Sequence, residues 1–103
     1  MSTLQTFQEE APEVQQAYAG VINALIGLKS LDGKTKQLIY IAMKIVNDDE
    51  NAVLHHIPMA KMAGATRDEV KETILLSLSV IGLKGISKYL DSCLSAYDEQ
   101  NTK

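Results

Sequence analysis

Between Lys34 and Val46 the apolar residues Leu38, Ile39, Ile41, Ala42, Met43, Ile45 and Val46 leave almost no polar face on a helix. At 3.6 residues per turn they wrap most of the circumference, so such a helix has to be covered on more than one side. The run Ile-Leu-Leu-Ser-Leu-Ser-Val-Ile-Gly-Leu at positions 74–83 has the same character, with Ser77 and Ser79 as its polar side chains. A helical Ser can bond back to the preceding turn, which accounts for both. Two such helices exceed what about five helices in a chain of 103 residues can hide. The expectation is an all-α bundle of about five to six helices, forming a homo-oligomer with these two helices near its interfaces.

Punctuation residues set the boundaries. Residues 1–10 read as an arm or a short helical turn. Pro12 suits the first turn of a helix, where its missing N–H is not needed. Val14, Ala17, Tyr18, Val21, Ile22, Leu25 and Ile26 then recur at helical spacing, up to Gly27. Asp32 is an N-cap for a helix over about 34–46. Asn47-Asp48-Asp49-Glu50 breaks the apolar pattern with acids that suit a helix N-terminus. A third helix runs from about 50 to 63, with Val53, Leu54, Ile57 and Met62 as its core. Pro58 lies inside it and removes the hydrogen bond to the Leu54 carbonyl. Gly64 closes that helix, and Thr66-Arg67-Asp68-Glu69 is a capping box opening a helix to about Leu83. A fifth helix spans about 86–97, and 98–103 is a polar tail. Met43, Met59 and Met62 read as core filling.

Composition excludes several function classes. Apolar residues are 46% and charged residues 22%, with a formal net charge of -3, which fits a folded soluble chain. There is no basic stripe and little aromatic content, so nucleic acid is not an expected partner. The segment MSTLQTFQEE lacks the cationic start and apolar run of a signal peptide, and charges interrupt every long apolar stretch. A cytoplasmic protein with no membrane partner is expected. Cys93 is the only cysteine, so it has no disulfide partner in the chain and reads as a buried structural residue.

The sequence LDGKTKQLIYIAMKIVN, a His beyond the polar break, and AKMAGATRDEV resemble the carboxymuconolactone decarboxylase family and its AhpD-like alkylhydroperoxidase relatives. So does FQEEAPE ahead of the first long helix. The resemblance covers about residues 7–90. It implies a single domain over 1–103, with its core at about 7–97, in the AhpD-like helical bundle, usually a trimer or hexamer.

Redox-active members look like K-x-x-E-L-I, then C-x-x-C-x-x-x-H, then A-G-A-T. Here the Cys positions fall on Asp49 and Ala52, and the relay Glu on Gln37; the His alone persists, as His56. A disulfide-cycling peroxidase needs one thiolate to attack and a second thiol to resolve, so thiol peroxidase activity is not expected. The decarboxylases also lack the Cys pair and keep the His, but commonly place a Glu where this chain has Ala52.

What the resemblance implies is a cofactor-free decarboxylase or lyase acting on a small carboxylated lactone. His56 is its general acid/base, Asp49 or Glu50 orients the ring, and Gln37 donates to a substrate oxygen. No cofactor and no metal are expected. Beside His56, the helical positions Ala52, Val53, Met59 and Ala60 offer no good ligand. His55 lies about 100° round the helix from His56 and is expected to be exposed or at an interface. The alternatives are an AhpD-like antioxidant by family resemblance, and a non-catalytic oligomer that binds a small molecule.

Overall fold

The computed structural model describes residues 2–99, and all its regular elements are helices. Met1 lies outside the described residues, as does the part of the expected polar tail from 100 to 103. The chain forms two compact units that divide after Leu31.

The first unit holds α1 (Thr3–Glu10) and α2 (Pro12–Ile26), which contact each other. The segment expected as an arm or a short helical turn is a helix of 8 residues, and it opens with a capping box. Ser2 Oγ accepts from the Gln5 N–H at 3.1 Å, and Gln5 Oε1 accepts from the Ser2 N–H at 2.9 Å. Pro12 takes the expected place at the start of α2. The apolar stripe Val14, Tyr18, Val21, Ile22 and Leu25 is present, yet α2 buries no residue.

The second unit holds α3 (Gly33–Val46), α4 (Glu50–Met62), α5 (Arg67–Leu75), α6 (Leu78–Ile81), α7 (Leu83–Gly85), a π-helical turn (Ile86–Leu90) and α8 (Asp91–Asp98). Its core is built mainly from residues one helical turn apart, with Ala65 beside them. Ile41 and Ile45 come from α3, Val53, Ile57 and Ala60 from α4, Val70 and Ile74 from α5, and Tyr89 and Cys93 from the last helical stretch. Each fully buried Ile contributes about 2 kcal/mol of apolar transfer. α4 packs between α3 and α8, and α5 packs against α3 and the π turn.

Several sequence expectations need correcting. Met62, expected in the core, is 88% exposed, and Met43 and Met59 are also exposed. The buried row of α4 is 53, 57 and 60, and Met62 falls off it. The helix expected to run to Leu83 ends at Leu75. Beyond it Ser77 Oγ donates to the Ile74 carbonyl at 2.6 Å and Ser79 Oγ to the Leu76 carbonyl at 2.7 Å. Gly82, at φ 66°, then turns the chain. The last helix starts early, at Leu83, and runs through the π turn into α8. At buried Gly85 a Cβ would collide with Ser77 Oγ, so the missing side chain is what lets these turns meet.

α3 and α4 end in the same way. After α4, Gly64 sits at φ 103°, the Ala65 N–H donates to the Ala60 carbonyl at 2.9 Å and the Gly64 N–H to Lys61 at 3.0 Å. After α3, the Asp49 N–H donates to Lys44 and the Asp48 N–H to Ile45, both at 3.0 Å. Both are Schellman ends, but the second puts Asp48, at φ 57°, where glycine is usual. The Asp48 carboxylate accepts from Tyr89 Oη at 2.8 Å and pairs with Lys88 Nζ at 2.8 Å. The π turn presents these two neighbouring side chains to one carboxylate.

Candidate functional site

His56 lies three residues after Val53 and four before Ala60, at the edge of the buried stripe of α4 and partly buried. α3 supplies the surface it meets. Gln37 is one turn ahead of Ile41 on the core-facing row, and Tyr40 and Lys44 form the adjacent row. Lys44 meets Asp49 and Gln37 meets His56, so the two helices run side by side in opposite directions.

The Gln37 carbonyl oxygen is 2.9 Å from His56 Nδ1. An oxygen can only accept, so Nδ1 carries the proton and Nε2 holds the ring's lone pair. The Tyr40 ring lies against the imidazole with centroids 4.1 Å apart at 35°. The Lys44 ammonium is 5.6 Å from the other ring partner, the Tyr40 centroid. His55 is exposed and meets His56 edge-on, with centroids 5.5 Å apart at 79°. Burial, and then the positive charges of His55 and Lys44, hold the His56 pKa below the usual histidine value of 6.5. These influences all favour the neutral imidazole.

The carboxylates expected beside the ring are placed elsewhere. Asp49 caps α4, accepting from the Ala52 N–H at 3.3 Å, and pairs with Lys44 Nζ at 3.3 Å. These bonds, the backbone one foremost, hold its pKa below the usual carboxylate range. Glu50 is exposed in the first turn of α4. The bond to Nδ1 comes from Gln37, so a neutral amide takes the place expected for a carboxylate. Tyr40 was not singled out in the sequence. Its spacing of three from Gln37 is the signal that could have found it, since both fall on one side of a helix.

Cys93 is fully buried, and burial pushes its thiol up to about 11, away from thiolate chemistry. Among the described residues no group of three or more His, Cys, Asp or Glu is gathered as metal ligands. Nor is any described helix long and apolar enough to cross a membrane. An open groove of about 620 Å³ is lined by Leu54 and Pro58 with residues of α8. Both are two positions from His56, hence on the far side of α4 from it.

The chain is similar to an uncharacterised protein of Cupriavidus necator, 28% identical over 87% of this chain and 79% of that one. It is 24% identical to an uncharacterised protein of Methanocaldococcus jannaschii, over 95% of this chain and 92% of the other. It superposes with a TM-score of 0.83 on the crystal structure of a Burkholderia xenovorans protein provisionally named a carboxymuconolactone decarboxylase. That likeness has 27% identity and covers 94% of this chain and 76% of that one. The model of the carboxymuconolactone decarboxylase family matches residues 12–89, which include Gln37, Tyr40, Asp49 and His56. The AhpD-like bundle anticipated from the sequence is thus the fold, and the chain belongs to the carboxymuconolactone decarboxylase family.

Proposed function

We propose that the protein is a cofactor-free decarboxylase or related lyase acting on a small unsaturated lactone that carries a carboxylate, with His56 Nε2 as the proton-transferring atom. The observation that carries this reading is the 2.9 Å bond between Gln37 and His56 Nδ1, which fixes the tautomer and directs Nε2 away from α3. The negative charge of a carboxylate substrate raises the proton affinity of the imidazole, so His56 takes up a proton as the substrate binds. The C–C bond to the departing CO2 breaks and its electron pair spreads into the lactone as an extended enolate. The imidazolium then delivers the Nε2 proton to carbon and returns to its neutral form, and solvent restores the proton. Gln37 Oε1 accepts from the ring, and its side-chain NH2 is the group that donates to a substrate oxygen.

A peroxidase reading has little support, because the redox positions are Asp49 and Ala52 and the single thiol is buried with a raised pKa. A homo-oligomer is part of the proposal, supported by the apolar stripe of α2, which buries no residue.

The test compares wild type with His56→Ala on small unsaturated lactone and keto acids, following CO2 release, with native mass spectrometry on both. Turnover should fall by roughly 100-fold or more in the variant. In wild type kcat/KM should fall as pH rises through a free-enzyme value below 6.5. Full activity in an intact His56→Ala oligomer would overturn the reading. So would an intact wild type inert toward the whole panel, which would favour a binding protein instead.

A further inference from the structure

We infer that Tyr40 is a positioning residue for His56: its ring fixes the plane of the imidazole, while Gln37 fixes which nitrogen carries the proton. The inference rests on the reading of His56 as the proton-transferring group. A hydrogen bond to Nδ1 holds one atom of a ring. It leaves the imidazole able to rock about its Cβ–Cγ bond within the latitude of that hydrogen bond, which sweeps Nε2 through an arc. The Tyr40 face, with its centroid 4.1 Å from that of the imidazole and tilted by 35°, closes one side of that arc. His55, edge-on at 5.5 Å, comes from α4 itself and lies at a steep angle, so it gives no comparable flat support. Gln37 and Tyr40 are three residues apart on one rigid helix, and both contacts therefore refer His56 to the same frame. Tyr40 is itself only partly buried, which makes its ring poorly placed to serve as core.

The test uses the full chain labelled with 15N-histidine. Long-range 15N–1H spectra report which nitrogen of His56 is protonated, and they need no substrate. Wild type should show the Nδ1–H form dominating. Tyr40→Leu lets the ring rock and weakens its aim at Gln37, so the variant should mix the two tautomers and move the His56 titration. With a turned-over substrate it should lower kcat/KM by roughly tenfold or more, mainly through kcat. Tyr40→Phe keeps the ring and should restore both spectrum and rate. If Tyr40→Leu fails to fold by circular dichroism, Tyr40→Gln takes its place. A wild-type tautomer pattern and titration in the folded Leu or Gln variant would overturn the inference. A Phe variant that behaves like the Leu variant would also overturn it, because the hydroxyl rather than the stack would then be responsible. The spectra decide the role of Tyr40 independently of the decarboxylase reading, which stands or falls on turnover by wild type.

Discussion

The Gln37–Tyr40–His56 cluster and the Asp48–Lys88–Tyr89 cluster each join side chains far apart in sequence, and each draws a residue of α3 or its C-terminal end against another helix. They differ in how they treat charge. The first sets a neutral amide against a histidine whose pKa is held down, first by burial. The second sets a carboxylate against an ammonium and a buried phenol. Hydrogen bonds from Lys88 and then Tyr89 hold the Asp48 pKa below the carboxylate range, and burial with Asp48 beside it pushes the Tyr89 pKa up. All charges in the second cluster are locked in their ordinary forms. The first sets its titratable group below its ordinary value, with a neutral amide rather than a carboxylate on the ring. On the proposed function, one cluster serves exchange and the other holding.

The sharpest way to break that contrast is to put a carboxylate into the first cluster. Gln37→Glu should tighten proton binding at His56 by roughly tenfold to a hundredfold. It should also reverse the sign of a pH effect on stability. In wild type the folded-state value of His56 lies below the unfolded one, so the contribution is full above about 6.5 and is lost as pH falls toward the folded value. In the variant the folded value is raised, and the contribution is full below about 6.5 and lost as pH climbs through the new value. NMR titration with urea unfolding at pH 5 and 8 checks both. An unchanged His56 titration would mean that Gln37 does not face the ring in solution.

Tyr89→Phe tests the holding cluster. Removing a buried hydroxyl that donates to a carboxylate should cost roughly 1–2 kcal/mol in urea unfolding, with the His56 titration unchanged. A shift at His56 would show that the clusters are coupled. The smallest effect is expected from Asp48→Asn, since Asn also tolerates a positive φ. Asp48 has a depressed folded pKa, so its contribution is present above about 3.9 and lost as pH falls through the folded value. The variant should flatten the acid limb of the stability profile below pH ~4 and leave the limb near 6 intact.

What was legible in the sequence was local. Pro12, Gly64 and the Thr66–Glu69 capping box act within one turn, and the structure places each where its chemistry says. His56 could be singled out by family spacing. Gln37 could be named with it by the same spacing, but its bond to Nδ1 and the contact with Tyr40 were not legible, because both depend on how two helices pair. The Asn-Asp-Asp-Glu run showed a helix break, but not which acid would take the left-handed position; that choice is repaid by Lys88 and Tyr89, more than 35 residues on. The apolar run after Ile74 hid its own interruption, since Ser77 and Gly85 act there through close approach and Gly82 through its positive φ, neither of which periodicity reports.

The buried cysteine has a kinetic consequence. A thiol reagent reaches Cys93 only when the surrounding helices part, and its raised pKa slows attack further until they do. With one cysteine in the chain, its labelling rate is a clock for opening of the core it shares with Ile57 and Tyr89. That clock needs no introduced probe, and it can time the loosening caused by any substitution in either cluster.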